Sequence, residues 1–243
     1  MSKKIFITGS SKGIGFGLAE RFNKIGYKVL INSNNITNLK AASKKLDNCD
    51  YYLGDVCNPK SVKKIFEKIK KKNTKIDLII CNYGNSNPKN NDLNFEHALK
   101  HNFFSTTNVV KEGVKLLKKN KGKIICISSI CGIEMIKNAP IGYSLAKSLI
   151  NNYVKSMSHN LAEKGISINS IAPGNILFDG SVWDKKIKKN KIKTFKYIRS
   201  VVPMKKFGTI DDIFDLCIFI ENNKSQFASG STFVLDGAQT KNF

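Results

Sequence analysis

The sequence predicts an α/β fold in which a doubly wound parallel sheet of about seven strands is flanked by helices on both faces. Three observations carry this. Short β-branched runs recur along the 243 residues with helical patterns between them, and such alternation builds βαβ units. The runs are apolar at consecutive positions, as in Lys123-Ile124-Ile125-Cys126-Ile127, which is the mark of strands covered on both sides. The length lies near the upper end of what one hydrophobic core serves, so a single domain over 1–243 is expected.

In chain order, strands are expected at Lys4 to Thr8, Lys28 to Asn32, Asp50 to Leu53, Asp77 to Cys81, Gly122 to Ser128, Ser167 to Ile171 and Thr232 to Leu235. Between the third and fourth, Val62, Ile65, Phe66 and Ile69 share one helical face, while Lys63, Lys64, Lys68, Lys70, Lys71 and Lys72 cover the others as a solvated surface. A long helix follows Gly142-Tyr143 and runs to about Glu163, with Leu145, Leu149, Tyr153 and Leu161 available for packing. Residues 178–207 break the alternation with a basic, weakly patterned stretch that reads as a helical lid over the substrate, not as a second domain.

Hydrophobic residues make up 41% and charged residues 24%, so wholesale disorder is excluded. The net charge of +23, from 41 basic and 18 acidic residues, would ordinarily point to nucleic acid or an anionic membrane. Only Arg21 and Arg199 are arginine, however, and nucleic-acid readers rely on its planar fork, so neither partner is expected. The lysine excess accompanies abundant Asn and Ile, as A/T-rich codons produce. Cys49, Cys57, Cys81, Cys126, Cys131 and Cys217 form no Cys-x-x-Cys pair and read as reduced thiols. With no apolar leader or membrane-length run, the expected location is the cytoplasm. His97 and His101 have a spacing that can ligate metal but lack a recognisable third ligand, so no metal is expected.

Two constellations carry chemistry. Thr8-Gly9-Ser10-Ser11-Lys12-Gly13-Ile14-Gly15 follows the first strand and opens a helix, where glycines admit a pyrophosphate to the free N–H groups of the helix start. At the end of the second strand an acid would bond the 2′-hydroxyl of an adenosine ribose and repel a 2′-phosphate. This chain has Asn32-Ser33-Asn34-Asn35 there, and with Lys12 nearby the charge logic favours NADP(H) over NAD(H). The second constellation is Ser128-Ser129, Tyr143 and Lys147. Tyr143 and Lys147 lie one helical turn apart, where an ammonium can lower a phenol's pKa and fit it for proton transfer.

Together these segments resemble the short-chain dehydrogenase/reductase family, with its Rossmann-type sheet, through nearly the whole chain. Thr8 to Gly15 is similar to the family's Thr-Gly-x-x-x-Gly-x-Gly loop, which implies cofactor contacts at Gly9, Ser11, Lys12, Gly13, Ile14 and Gly15. Asp55-Val56 resembles the pair that meets adenine, and Ser33-Asn34 stand where the ribose is held. Cys81-Asn82-Tyr83-Gly84 resembles an Asn-Asn-Ala-Gly element in which Tyr83 departs from alanine, implying contacts at Asn82 and Gly84. Pro173, Gly174 and Ile176 fall in the family's turn near the nicotinamide, although the threonine often found shortly after is absent. Val202 to Gly208 and Ser229 to Gly237 resemble its C-terminal signatures.

The resemblance implies a catalytic set of Asn102, Ser129, Tyr143 and Lys147, with Ser129 chosen over Ser128 because Gly132 completes Ser-x-x-Gly. In the implied mechanism hydride passes between NADPH and a carbonyl, Tyr143 gives the proton, and Ser129 holds the oxygen. Lys147 lowers the tyrosine pKa and binds the nicotinamide ribose, as Tyr143 does beside it, while Asn102 carries a water. A homotetramer or homodimer, built on helices around 103–119 and 142–164, is implied as well. The expected substrate is a small carbonyl or alcohol, most like the carrier-linked 3-oxoacyl thioesters of 3-oxoacyl-acyl-carrier-protein reductases. One alternative is a sugar or nucleotide-sugar intermediate of surface glycans, since Trp183 could stack on a sugar ring, though lid packing is its plainer role. A second is a non-catalytic NADP-binding sensor, which the filled catalytic positions disfavour.

Overall fold

The computed structural model describes residues 2–85 and 95–241, so the expected 1–243 domain extends beyond the described residues. The elements are β1 (Lys4–Ile7), α1 (Gly13–Lys24), β2 (Lys28–Ser33), α2 (Ile36–Ser43), β3 (Cys49–Leu53), α3 (Pro59–Lys71) and β4 (Leu78–Cys81). Then come α4 (Phe95–Ala98), a π-helical turn (Leu99–Phe104), α5 (Ser105–Gly113), β5 (Lys123–Ile127), α6 (Ile141–Ala162) and β6 (Ser167–Pro173). The chain closes with α7 (Val182–Lys189), α8 (Lys191–Val201), α9 (Ile210–Asn222) and β7 (Thr232–Leu235).

All seven strands pair in parallel, in the order β3-β2-β1-β4-β5-β6-β7. The expected strand count and sheet type are therefore observed. The order reverses between β1 and β4, and ligands in open parallel sheets gather beyond the strand ends at such a switch point. Alternate strand residues feed two separate cores. Phe6, Leu30, Ile79 and Ile124 pack with Val62, Ile65, Phe66 and Ile69 of α3, whereas Ile5, Ile7, Val29 and Ile31 pack with Leu18 and Phe22 of α1 and Ile213 of α9. The lysine run of α3 is exposed, as its helical phase requires.

One packing expectation fails. Leu145 and Leu149 are 50% and 41% exposed, and the buried face of α6 is Gly142, Ala146, Lys147, Ile150, Val154 and Leu161. Close contact between Gly132 and the Lys147–Ser148 backbone, where a Cβ on the glycine would meet it at 2.5–2.6 Å, sets the rotation of the helix. The leucines then fall on the outer side.

Residues 178–207 form an excursion stitched at its base: Leu177 N–H donates to Gly208 O at 2.8 Å and Gly208 N–H donates to Asn175 O at 3.0 Å. Above that base α7 and α8 have a small core of their own, with Ile198, Val202 and Phe207 packed by Trp183, Ile187 and Phe195. No helix among the described residues is long and apolar enough to cross a membrane.

Candidate active site

The glycine turn is held open by its own chemistry. Gly9 and Gly13 have φ of +60° and +61°, a region that favours glycine. Gly15 has no room for a side chain, since a Cβ there would lie 2.5 Å from both Asn82 Nδ2 and Gly9 O. Lys12 caps α1 without a side-chain bond and no acid occupies the first turn, which leaves that turn's N–H groups for an anion. These features fit a dinucleotide pyrophosphate.

Asn82 fastens β4 to this turn: its backbone N–H donates to Thr8 Oγ1 at 3.0 Å, and Nδ2 donates to Thr8 O at 3.1 Å and Gly9 O at 3.3 Å. Ser11 Oγ donates to Ser33 Oγ at 3.0 Å, tying the turn to the end of β2. The Ser33 hydroxyl also accepts from Asn35 N–H at 3.2 Å, so it is engaged within the protein while Asn34 is exposed beside it. Lys12 is exposed and Ile14 half-buried. Asp55 Oδ1 accepts from Cys57 N–H at 2.9 Å, and the Val56 side chain is buried. The Gly174 N–H donates to Leu235 O at 2.9 Å at the end of β6, where Pro173 is buried. Ile176 is also buried, its side chain against Gly208, so its backbone is what remains for a ligand. Beyond it Phe178, at the stretch without threonine, lays its ring on Gly13, 3.4 Å from where a Cβ would be.

The second constellation is drawn together beyond β4 and β5. Lys147 is 3% exposed, and its Nζ donates to Ile127 O at 2.8 Å and lies 5.6 Å from the centre of the Tyr143 ring. Ser128 Oγ donates to Lys147 O at 3.1 Å, so that serine is structural, while the Ser129 hydroxyl is the one whose proximity favours the ionised form of Tyr143. A Cβ on Gly84 would meet Asn102 Oδ1 at 2.8 Å and Lys147 Nζ at 3.2 Å, so both converge on this glycine. Asn102 lies in the π-helical turn, a distortion frequent at functional sites. Its Oδ1 accepts from Asn85 N–H, and its Nδ2 donates to Asn85 O and Ala98 O, each at 3.0 Å.

The electrostatics correct one expectation. The spacing predicts that Lys147 acidifies Tyr143, yet burial pushes its pKa up, the Cys131 thiol pushes the same way, and the Ser129 hydroxyl only partly offsets them. The reason is geometric, because the ammonium is directed at Ile127 O. Burial in turn lowers Lys147 to about 8. A protonated phenol beside a serine hydroxyl and a buried ammonium can give a proton to a developing alkoxide. Cys131, whose N–H donates to Ser129 Oγ at 3.2 Å, lines this corner and was not singled out from the sequence. His97 and His101 stack at 4.1 Å, and the described residues hold no metal-binding cluster.

A dinucleotide-type turn at a topological switch point, joined to a Ser, Tyr and Lys corner, defines a nicotinamide-type oxidoreductase acting between carbonyl and alcohol. The chain belongs to the short-chain dehydrogenase/reductase family: residues 9–240 match the family model described as enoyl-(acyl carrier protein) reductase. It is 31% identical over 240 residues to a 3-oxoacyl-[acyl-carrier-protein] reductase FabG of Buchnera aphidicola subsp. Acyrthosiphon pisum (strain APS), covering 96% of this chain and 95% of that one. It is 29% identical over 250 residues to a glucose 1-dehydrogenase of Gluconobacter oxydans (strain 621H), covering 98% and 92%. Among solved structures it is similar to ElxO with NADP bound, with a TM-score of 0.86, 28% identity and coverage of 98% and 99%.

Proposed function

We propose that the protein is an NADP(H)-dependent reductase of a 3-oxoacyl thioester. The observation that carries the reading is the convergence of Tyr143, Ser129, Lys147 and Asn102 beyond β4 and β5, next to a turn built for a pyrophosphate. When bound, the nicotinamide supplies or accepts the hydride. Gly9, Gly13, Gly15 and the start of α1 would hold its pyrophosphate, and Asp55, Val56, Asn82 and Gly84 would line its adenosine and ribose side. In reduction the Ser129 hydroxyl positions the carbonyl oxygen and Tyr143 donates its proton to the alkoxide. The Lys147 ammonium, fixed on Ile127 O, would hold the nicotinamide ribose, and Asn102 would connect it to solvent through a water.

The 2′-phosphate preference is supported by Ser33-Asn34 in place of an acid, by exposed Lys12, and by the NADP-bound relative. The acyl class is supported by the FabG relatives, and the many lysines of α7 and α8 would suit an acidic carrier protein. In this reading 178–207 is the substrate lid of one catalytic domain. Exposed Phe104, at the end of the π-helical turn, and exposed Ile141, Leu145 and Leu149 of α6 support a second copy docking on this side in a dimer or tetramer. Six free cysteines are consistent with a cytoplasmic enzyme.

A second reading, an aldose substrate, draws on the glucose 1-dehydrogenase relative. Trp183 lends it no weight, because its ring stacks on Tyr197 at 5.7 Å and Lys186 covers it at 4.4 Å. The deciding experiment titrates the protein with NADPH and NADH by fluorescence, then adds a 3-oxoacyl thioester or glucose. Tighter NADPH binding and thioester-dependent loss of nicotinamide absorbance are expected. Glucose oxidation without thioester reduction would move the substrate to sugars, and binding with no turnover would make the protein a sensor.

A further inference from the structure

Tyr83 joins segments that the glycine turn alone would leave separate. A Cβ on Gly9 would meet the Tyr83 Cα at 3.1 Å and its ring at 3.3 Å, so the residue lies directly against the turn after β1. In the other direction its hydroxyl reaches His101 Nδ1 at 2.8 Å, and the same nitrogen lies 3.5 Å from Cys57 Sγ. Cys57 closes the loop after β3, where its N–H bonds Asp55. A continuous chain of phenol, imidazole and thiol therefore spans from the pyrophosphate turn to the Asp55-Val56 loop. Its middle member lies on the π-helical turn that carries Asn102.

Proton positions agree along the chain. Burial pushes the Tyr83 phenol and the Cys57 thiol up in pKa, so both keep their protons. Burial, with His97 and Lys100 and against Asp55, pushes His101 down. A neutral imidazole then accepts at Nδ1, with Tyr83 the closer of two donors.

We propose that Tyr83 and His101 are positioning residues for the adenosine half of the cofactor. Their hydrogen bond, extended to Cys57, holds the Asp55-Val56 loop at a fixed distance from the glycine turn, so the two halves of the adenosine site are in register before ligand binds. The inference rests on the dinucleotide reading above. Preorganisation of this kind raises affinity by removing the cost of ordering a loop during binding.

The test measures binding of NADPH to the purified full-length chain, with adenosine 2′,5′-bisphosphate as a competitor that carries only the adenosine half. Tyr83→Phe is expected to weaken both ligands by the same factor, about fivefold, with kcat at saturating cofactor changed less than about twofold. Tyr83→Phe combined with His101→Phe is expected to cost no more than the worse single variant, because both break one bond. His101→Gln, which restores an acceptor, is expected to bind more tightly than His101→Phe. Unchanged affinities in all variants would overturn the proposal, as would a fall in kcat and Tm with cofactor affinity intact. A wild-type chain that binds neither NADP(H) nor NAD(H) would overturn the dinucleotide reading and this inference with it.

Discussion

The catalytic corner and the α7–α8 excursion both stand beyond the strand ends, yet they are held in opposite ways. Lys147 is fixed by a buried bond to Ile127 O, Asn102 by three bonds to Asn85 and Ala98, and Ser129 by the turn that Gly132 clamps onto α6. In α7 and α8 the fixed part is a small core around Ile198 and Phe207, while Ile192 is 84% exposed and Lys188 pairs with Asp179 and Asp184 at the surface. Surface pairs of that kind hold little, because water screens them. Under the proposed function the difference is a division of labour: proton transfer would be built onto the sheet, and substrate choice would reside in a unit with a core of its own.

The strongest way to break this division is Lys147→Met, which removes the buried cation with little change in volume. It is expected to lower kcat by about a hundredfold or more in steady-state assays and to weaken cofactor binding as well. A milder outcome would mean that the corner does not depend on its ammonium. Next in size is Lys12→Glu, which places an anion where a 2′-phosphate would lie. The NADPH-to-NADH ratio of dissociation constants is expected to shift by about tenfold toward NADH, read by the same titration.

A pH series sharpens the comparison. With Lys147 near 8, kcat/KM for reduction is expected to be flat below that pH and to fall above it as the ammonium is lost. Stability moves the other way. The unfolded lysine, with its ordinary value of 10.5, binds more protons than the folded one, so Tm is expected to rise with pH between about 8 and 10.5 through this group. The smallest effect is expected in the 178–207 excursion: as the proposed lid, it should answer Trp183→Ala with a substrate KM raised several-fold, about 1 kcal/mol, and NADPH affinity unchanged.

Much of this was legible in the sequence, for physical reasons. Strands such as Ile79 to Cys81 and Ile124 to Ile127 are apolar at consecutive positions because both faces are buried, and the glycine turn is marked by positive φ at Gly9 and Gly13 and by the lack of room for a Cβ at Gly15. The Ser129, Tyr143 and Lys147 set was readable because its members lie at fixed offsets on one turn and one helix. The packing face of α6 was not, since hydrophobicity favoured Leu145 and Leu149 while close backbone contact at Gly132 sets the helix's rotation and leaves both exposed. The direction of the Tyr143 pKa was also hidden. Spacing brings Lys147 within a turn, but only the fold shows that its proton is given to Ile127 O. The Tyr83, His101 and Cys57 chain joins three segments through tertiary contact, and its one sequence trace is a tyrosine where alanine is usual.

Turnover and cofactor binding are expected to separate at a single hydroxyl. Tyr143→Phe should be mixed with NADPH and a 3-oxoacyl thioester beside the wild-type protein, following nicotinamide fluorescence for binding and absorbance for hydride transfer in one sample. Little-changed NADPH affinity and a loss of hydride transfer of about a hundredfold or more are expected. Turnover at the wild-type rate, or loss of binding together with turnover, would contradict that separation.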